Sequence, residues 1–153
     1  MKSLIFTTLL ISFISNLIGQ RISADKVPAP VLGSFKDKFS TAFAPKWSKE
    51  GDEYEVDFKI KKDKYSAKFN NEGKWLETEQ GIKTTELPVA ILNNIKQEYP
   101  GFRIEEANKM ETLKDGSVYE AEVVKDKVSW DLIYSMDGKL ISKMKEVNDR
   151  EKE

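Results

Sequence analysis

The chain has 153 residues, of which 39% are hydrophobic and 33% charged, with 25 basic against 26 acidic residues and a formal net charge of −1. That balance argues against nucleic acid as the main partner, because such binding depends on a basic surface that neutralises phosphates. The chain has no cysteine and no histidine, which excludes His- or Cys-based zinc sites, Cys and Ser–His nucleophiles and haem ligation, and leaves the core, not disulfides, to hold the fold.

Residues 1–19 carry one cation, Lys2, then an uncharged apolar run from Leu4 to Ile18, then Gly19. The pattern predicts a secretory signal peptide cleaved near Gly19. The run is short and includes Ser12, Ser15 and Asn16, unlike a membrane span of about 20 apolar residues. No cysteine follows it for lipidation. The expected product is a monomer of about 134 residues, enough for one domain or two small packed halves. It would be periplasmic or secreted, with no stable membrane insertion.

Next in the chain, VPAPVLGSFKDKFS (27–40) aligns with LPVAILNNIKQEYP (87–100) at an offset of 60. Each copy has a proline near its start and apolar residues at helical spacing: Val31, Phe35 and Phe39, then Ile91, Ile95 and Tyr99. Both predict helices. Pro45 is expected to close the loop after the first, and Pro100-Gly101 to stop the second.

After each helix the apolar period changes to two. Tyr54, Val56, Phe58 and Ile60 alternate with Glu55, Asp57 and Lys59, and Tyr119, Ala121 and Val123 alternate with Glu120 and Glu122. These are half-buried strands. Turn pairs such as Glu72-Gly73, Asp115-Gly116 and Asp137-Gly138 suit tight hairpins. They predict strands near 46–50, 53–61, 64–70 and 74–82, then 103–114, 117–125, 128–135 and 139–146. The stretch YSAKFNNEGKWLE (65–77) thus recurs as WDLIYSMDGKLIS (130–142), and self-similarity at this period signals a duplicated unit. The expected fold is α+β: two tandem units, 27–82 and 87–147, each one helix followed by a four-stranded antiparallel meander. Helices cover one sheet face and leave the other open, and 148–153 is a charged, frayed tail.

The order of Leu87-Pro88, Ala90, Ile95-Lys96, Tyr99-Pro100-Gly101, Tyr119-Glu120-Ala121-Glu122 and Asp137-Gly138-Lys139 resembles the bacterial PepSY-like, beta-lactamase-inhibitor-like (BLIP-like) family. The first half repeats it as Val27-Pro28, Phe35-Lys36, Tyr54-Glu55-Val56-Asp57 and Glu72-Gly73-Lys74. The resemblance covers nearly the whole chain after residue 19. It implies helices on one side of the sheet, a concave open face, and a noncatalytic protein that binds and restrains an extracytoplasmic hydrolase. Phe39-Ser40 departs from the Tyr-Pro-Gly stop, and without disulfides no inhibitory contact carries over to a residue here.

On the residues themselves, Glu55/Asp57 and Glu120/Glu122 each place two carboxylates on one sheet face. A cation site or acid/base pair is one reading. A solvated face with Lys59 and Lys68 paired across strands is the favoured one. The candidate partner-binding face is therefore Glu55, Asp57, Lys59, Lys68, Glu120, Glu122 and Asp131, with no catalytic, cofactor or metal residue. An alternative is a small ligand or cell-wall fragment held by exposed aromatics, for which Trp47 and Trp75 are the candidates. Trp130 alternates with Leu132 and Tyr134 and reads as core.

Overall fold

The computed structural model describes residues 20–147. The predicted signal peptide and the 148–153 tail lie outside them. Prolines set both helix starts. Pro28 and Pro88 precede helices α1 (Ala29–Lys38) and α2 (Val89–Glu98), and the Pro28 and Pro88 carbonyls accept the first-turn N–H groups of Val31 and Leu32, and of Ile91 and Leu92, at 2.9 to 3.1 Å. A proline entering a helix gives up an N–H that has no intrahelical partner there. Each helix is preceded by a short 3-10 turn, Ala24–Lys26 or Thr84–Glu86.

Both helices end alike. The Phe39 and Tyr99 N–H groups donate to the Phe35 and Ile95 carbonyls at 2.9 Å, with φ −124° at each. The first helix therefore needs no Tyr-Pro-Gly stop. Among the described residues no helix is long and apolar enough to cross a membrane.

Nine strands follow the chain: β1 (Gln20–Ile22), β2 (Phe43–Glu50), β3 (Glu53–Ile60), β4 (Asp63–Asn70), β5 (Trp75–Gly81), β6 (Arg103–Thr112), β7 (Gly116–Lys125), β8 (Val128–Ser135) and β9 (Leu140–Val147). They form one antiparallel meander in sequence order. The eight expected strands are present, and β5 pairs with β6 along Glu77–Gly81 and Asn108–Thr112, so that the two meanders run on as one sheet. Pairing at this seam satisfies backbone groups that would otherwise form two exposed edges. Strand β1, unforeseen in the sequence, adds a short edge to β2.

Pro45 does not close a loop. It lies inside β2 at a bulge between Phe43 and Lys46, where Ala44 has φ 53°. A residue without an N–H is tolerated in a strand where the ladder is already interrupted.

Register shows which face each side chain takes. Val56 pairs with Ala67, Ala67 with Thr78, and Thr78 with Glu111; Ala107 pairs with Ala121, and Ala121 with Leu132. This line is the helix face throughout, so α1 and α2 cover the same side. Val31 and Phe35 of α1 pack with Trp47, Tyr54, Val56, Phe58 and Phe69. Ile91 and Ile95 of α2 pack with Ala107, Ala121, Val123, Leu132 and Tyr134.

The hairpins at Gly73 and Gly138 also meet the helices. Gly73 and Gly138 hold φ of 81° and 85°, and a Cβ there would fall 2.5 Å from the Pro30 carbonyl oxygen and 2.7 Å from the Ala90 Cβ. Glycine is required at both places, for backbone angle and for closeness of approach.

Candidate functional face

Residues alternating with the helix-facing ones point away from both helices, and Met110, Val118, Val124 and Ser129 among them are nonetheless buried. Across the middle of this face run Glu55 on β3, Lys68 on β4, Glu77 and Glu79 on β5, Asn108 on β6 and Glu120 on β7. Glu55 pairs with Lys68, Lys68 with Glu77, and Asn108 with Glu120. Lys68 is the centre of the row. Its side chain is 10% exposed, and its Nζ lies 3.1 Å from Glu77 Oε1, on a side chain 17% exposed. Glu77 Oε1 has no directed hydrogen bond, so the contact is best described as an ion pair with poor donor alignment.

Burial acts on Lys68, Glu79, Glu120 and Glu55. It pulls the Lys68 ammonium down, but the Glu77, Glu79 and Glu55 carboxylates outweigh it, and the group is pushed up to about 12. Glu79 is pushed up to about 8, first by burial and then by the charges of Glu120 and Glu77, with Lys68 opposing. At neutral pH its carboxyl is therefore mostly protonated. Burial also raises Glu120, against the hydrogen bond that Asn108 Nδ2 donates to Glu120 Oε2 at 3.0 Å. Glu55 and Glu53 are raised by burial too, with Lys68 opposing.

Of the residues singled out from sequence, the structure brings Glu55, Lys68 and Glu120 into this row. Asp57 and Lys59 lie toward one end, and Glu122 faces Asp131 across β7 and β8. Lys68 is paired across strands as expected. Lys59 is not: its cross-strand neighbour is Lys64, and Asp57 is held by Arg21 at 2.9 Å. Sequence reasoning missed Glu77, Glu79 and Arg21. The alternation of Glu77 and Glu79 was visible, but their place at the centre of the face depends on the β5–β6 seam. Arg21 depends on β1, for which three residues carry no period.

The aromatic alternative fares differently. Trp47 is 3% exposed and packs edge-on to Phe35, 5.3 Å between centroids, so it belongs to the core and not to a binding platform. Its pairing with Val56 puts it on the helix face. Trp75 is half-buried against the same core, donates from Nε1 to Thr78 Oγ1 at 2.9 Å, and lies under Lys38 Nζ at 4.0 Å. Both rings are on the helix side. Trp130 packs against the second core, as its alternation predicted.

This arrangement presents fixed charges. Among the described residues no group of three or more carboxylates is placed to hold a metal ion. A row of strand-mounted carboxylates and one buried ammonium is suited to complementary charge recognition, which gives specificity and on-rate.

No curated protein matches the chain. Among solved structures, a BLIP-like protein from Bacteroides fragilis is similar at TM-score 0.70 and 21% identity, covering 82% of this chain and 92% of that one. A protein from Bacteroides eggerthii whose description reads "putative periplasmic proteins" is similar at TM-score 0.71 and 17% identity, covering 80% and 91%. At these identities the likeness shows the fold. The family described as "Putative beta-lactamase-inhibitor-like, PepSY-like" matches over residues 16–63 and 52–142. With its helices on one side of a continuous antiparallel sheet and the row from Glu55 through Lys68 to Glu120 on the other, this chain belongs to the beta-lactamase-inhibitor-like, PepSY-like family.

Proposed function

We propose that this chain is an exported, noncatalytic protein that binds another extracytoplasmic protein through the open sheet face, as an inhibitor or modulator of a hydrolase. The observation that carries the reading is the row from Glu55 through Lys68 to Glu120: charged side chains kept largely buried on the sheet face that packs against neither helix. Burying charge costs several kcal/mol unless it is paired, and such a row is more easily understood as a preorganised contact surface than as a solubilising one. Family membership and the description of the B. eggerthii relative support export. The alternative, a small ligand on exposed aromatics, has lost Trp47 to the core and has Trp75 on the helix side.

We also read residues 27–82 and 87–147 as two copies of one unit. The matched helix ends and the matched glycine contacts at Gly73 and Gly138 support that division. The protein acts as a monomer in this reading.

The test is affinity capture from an extracytoplasmic extract of the source organism. The double variant Asp131→Lys/Glu122→Lys alters the open face, and Lys36→Glu/Lys96→Glu alters the helices. A partner kept by the wild type and the helix variant, and lost by the face variant, is the expected result. A partner indifferent to the face variant, or none at all, would refute the reading.

A further inference from the structure

One end of the open face carries a groove of about 490 Å³ beside the β2 bulge, lined by Arg21, Lys46, Asp57, Lys59, Lys64 and Ser66 together with Glu79 and Asn108. Its volume is within the range of side-chain and small-ligand sites. Four cations converge there. Asp57 is occupied by Arg21 at 2.9 Å. Among the described residues no carboxylate lies within ion-pair distance of Lys46, Lys59 or Lys64.

Lys59 and Lys64 are direct cross-strand partners. Like charges so placed repel and destabilise the pair. A carboxylate at either position would have relieved this, as Glu77 does for Lys68. At the corresponding positions of the second half stand Val124 and Ser129, which are also direct partners, and Glu106 stands where Lys46 does. The positive end is thus specific to one half and is not a requirement of the hairpin.

We propose that this groove is an anion site that receives the carboxylate side chains of an acidic segment on the partner protein. This rests on the reading of the open face as a protein-binding surface and names the chemistry of the partner there. Charge complementarity selects the occupant: Lys46, Lys59 and Lys64 supply ammonium donors and Ser66 a hydroxyl. Glu79 closes the inner wall. Around it stand Lys68 and Ser66 from β4, Asn108 and Met110 from β6, Glu120 from β7, Glu55 from β3 and Glu77 on its own strand. In this company its carboxyl stays mostly neutral at pH 7 and adds no full negative charge to the groove. Raising the pH through about 8 ionises it, so anion binding weakens in that range.

The experiment titrates the protein with a capped tetra-glutamate peptide and follows backbone amide shifts of residues 43–66. Capped tetra-glutamine, acetate and inorganic phosphate are the comparison probes. Expected are saturable shifts at Lys46, Lys59 and Lys64 with tetra-glutamate, none with tetra-glutamine, and weakening with salt. The variant Lys59→Gln/Lys64→Gln should bind about tenfold more weakly, equivalent to about 1.4 kcal/mol. Because both residues are exposed, it should keep the wild-type spectrum elsewhere. Equal response to the two peptides, a tighter response to phosphate than to tetra-glutamate, or no response in the groove would overturn the proposal. A silent groove with a partner still captured through Glu122 and Asp131 removes this inference alone. Loss of any face-dependent partner removes the reading beneath it.

Discussion

The two halves of the sheet share one face and differ on the other. Toward the helices, Val31 matches Ile91, Phe35 matches Ile95 and Phe69 matches Tyr134, and each residue is buried. The bulk is distributed differently within that pattern. The first half places Trp47 and Phe58 where the second has Ala107 and Val123, and the second recovers volume on β8 with Trp130 and Tyr134. On the opposite face Lys46, Lys59 and Lys64 correspond to Glu106, Val124 and Ser129, so even the sign of the charge changes. The helix face is constrained by close packing, in which a change of one methylene is felt. The other face packs against neither helix and is freer to diverge.

The largest expected effect tests how closely the repeated hairpins match. Gly73→Ala puts a methyl against a backbone carbonyl and should destabilise by about 4 kcal/mol, while Gly138→Ala clashes chiefly with the Ala90 methyl, with backbone atoms at ordinary contact distance, and should cost about 2 kcal/mol. Urea unfolding measures both. Ala90→Gly should recover part of the Gly138→Ala loss and none of the Gly73→Ala loss. Equal costs at the two glycines would mean that the hairpins contact their helices in the same way.

A second test addresses the seam. Glu77 and Glu79 lie on β5, paired on both sides, while the matching residues Ser142 and Met144 lie on the edge strand β9. Glu79 ionises near its ordinary 4.5 when unfolded but only at about 8 when folded. Between those values the folded state holds more protons. The stability contributed by its protonated form is complete below 4.5 and lost as pH rises through about 8. Glu79→Gln should therefore stabilise by about 2 kcal/mol at pH 8.5 and much less at pH 5, as read from urea midpoints. A gain that is the same at both pH values would show that Glu79 is not held neutral.

The smallest effect concerns matched core positions. Tyr134, pushed up to about 12 chiefly by burial, donates to Asn94 Oδ1 at 3.0 Å, whereas its counterpart Phe69 has no hydroxyl. Tyr134→Phe makes the second half resemble the first and should cost about 1 kcal/mol. No measurable loss on thermal unfolding would mean that the hydroxyl is as well satisfied by water as by Asn94.

Much of this was legible in the chain. Alternation in YEVDF and YEAEV assigned Val56, Phe58, Ala121 and Val123 to the core, and the glycines of NEGKWL and MDGKLI marked the hairpins. Trp47 was not legible. Its neighbours Lys46, Ser48 and Lys49 carry no apolar alternation, and its burial follows from pairing opposite Val56. Pro45 misled for a related reason, since a bulge that accepts proline is a property of two paired strands and not of one.

The sequence alone determined the elements and the sides of each strand, because helical and strand periods are local: a side chain's direction depends on residues within two to four positions. Tertiary structure decided what those strands joined. Unpaired N–H and C=O groups on a strand edge seek a partner regardless of side-chain pattern, so β5 met β6, and β1 met β2. The β5–β6 pairing joined the two meanders into one sheet and placed Glu79 at its centre. The β1–β2 pairing brought Arg21 to Asp57, and together they assembled the charged face from residues between 20 and 135.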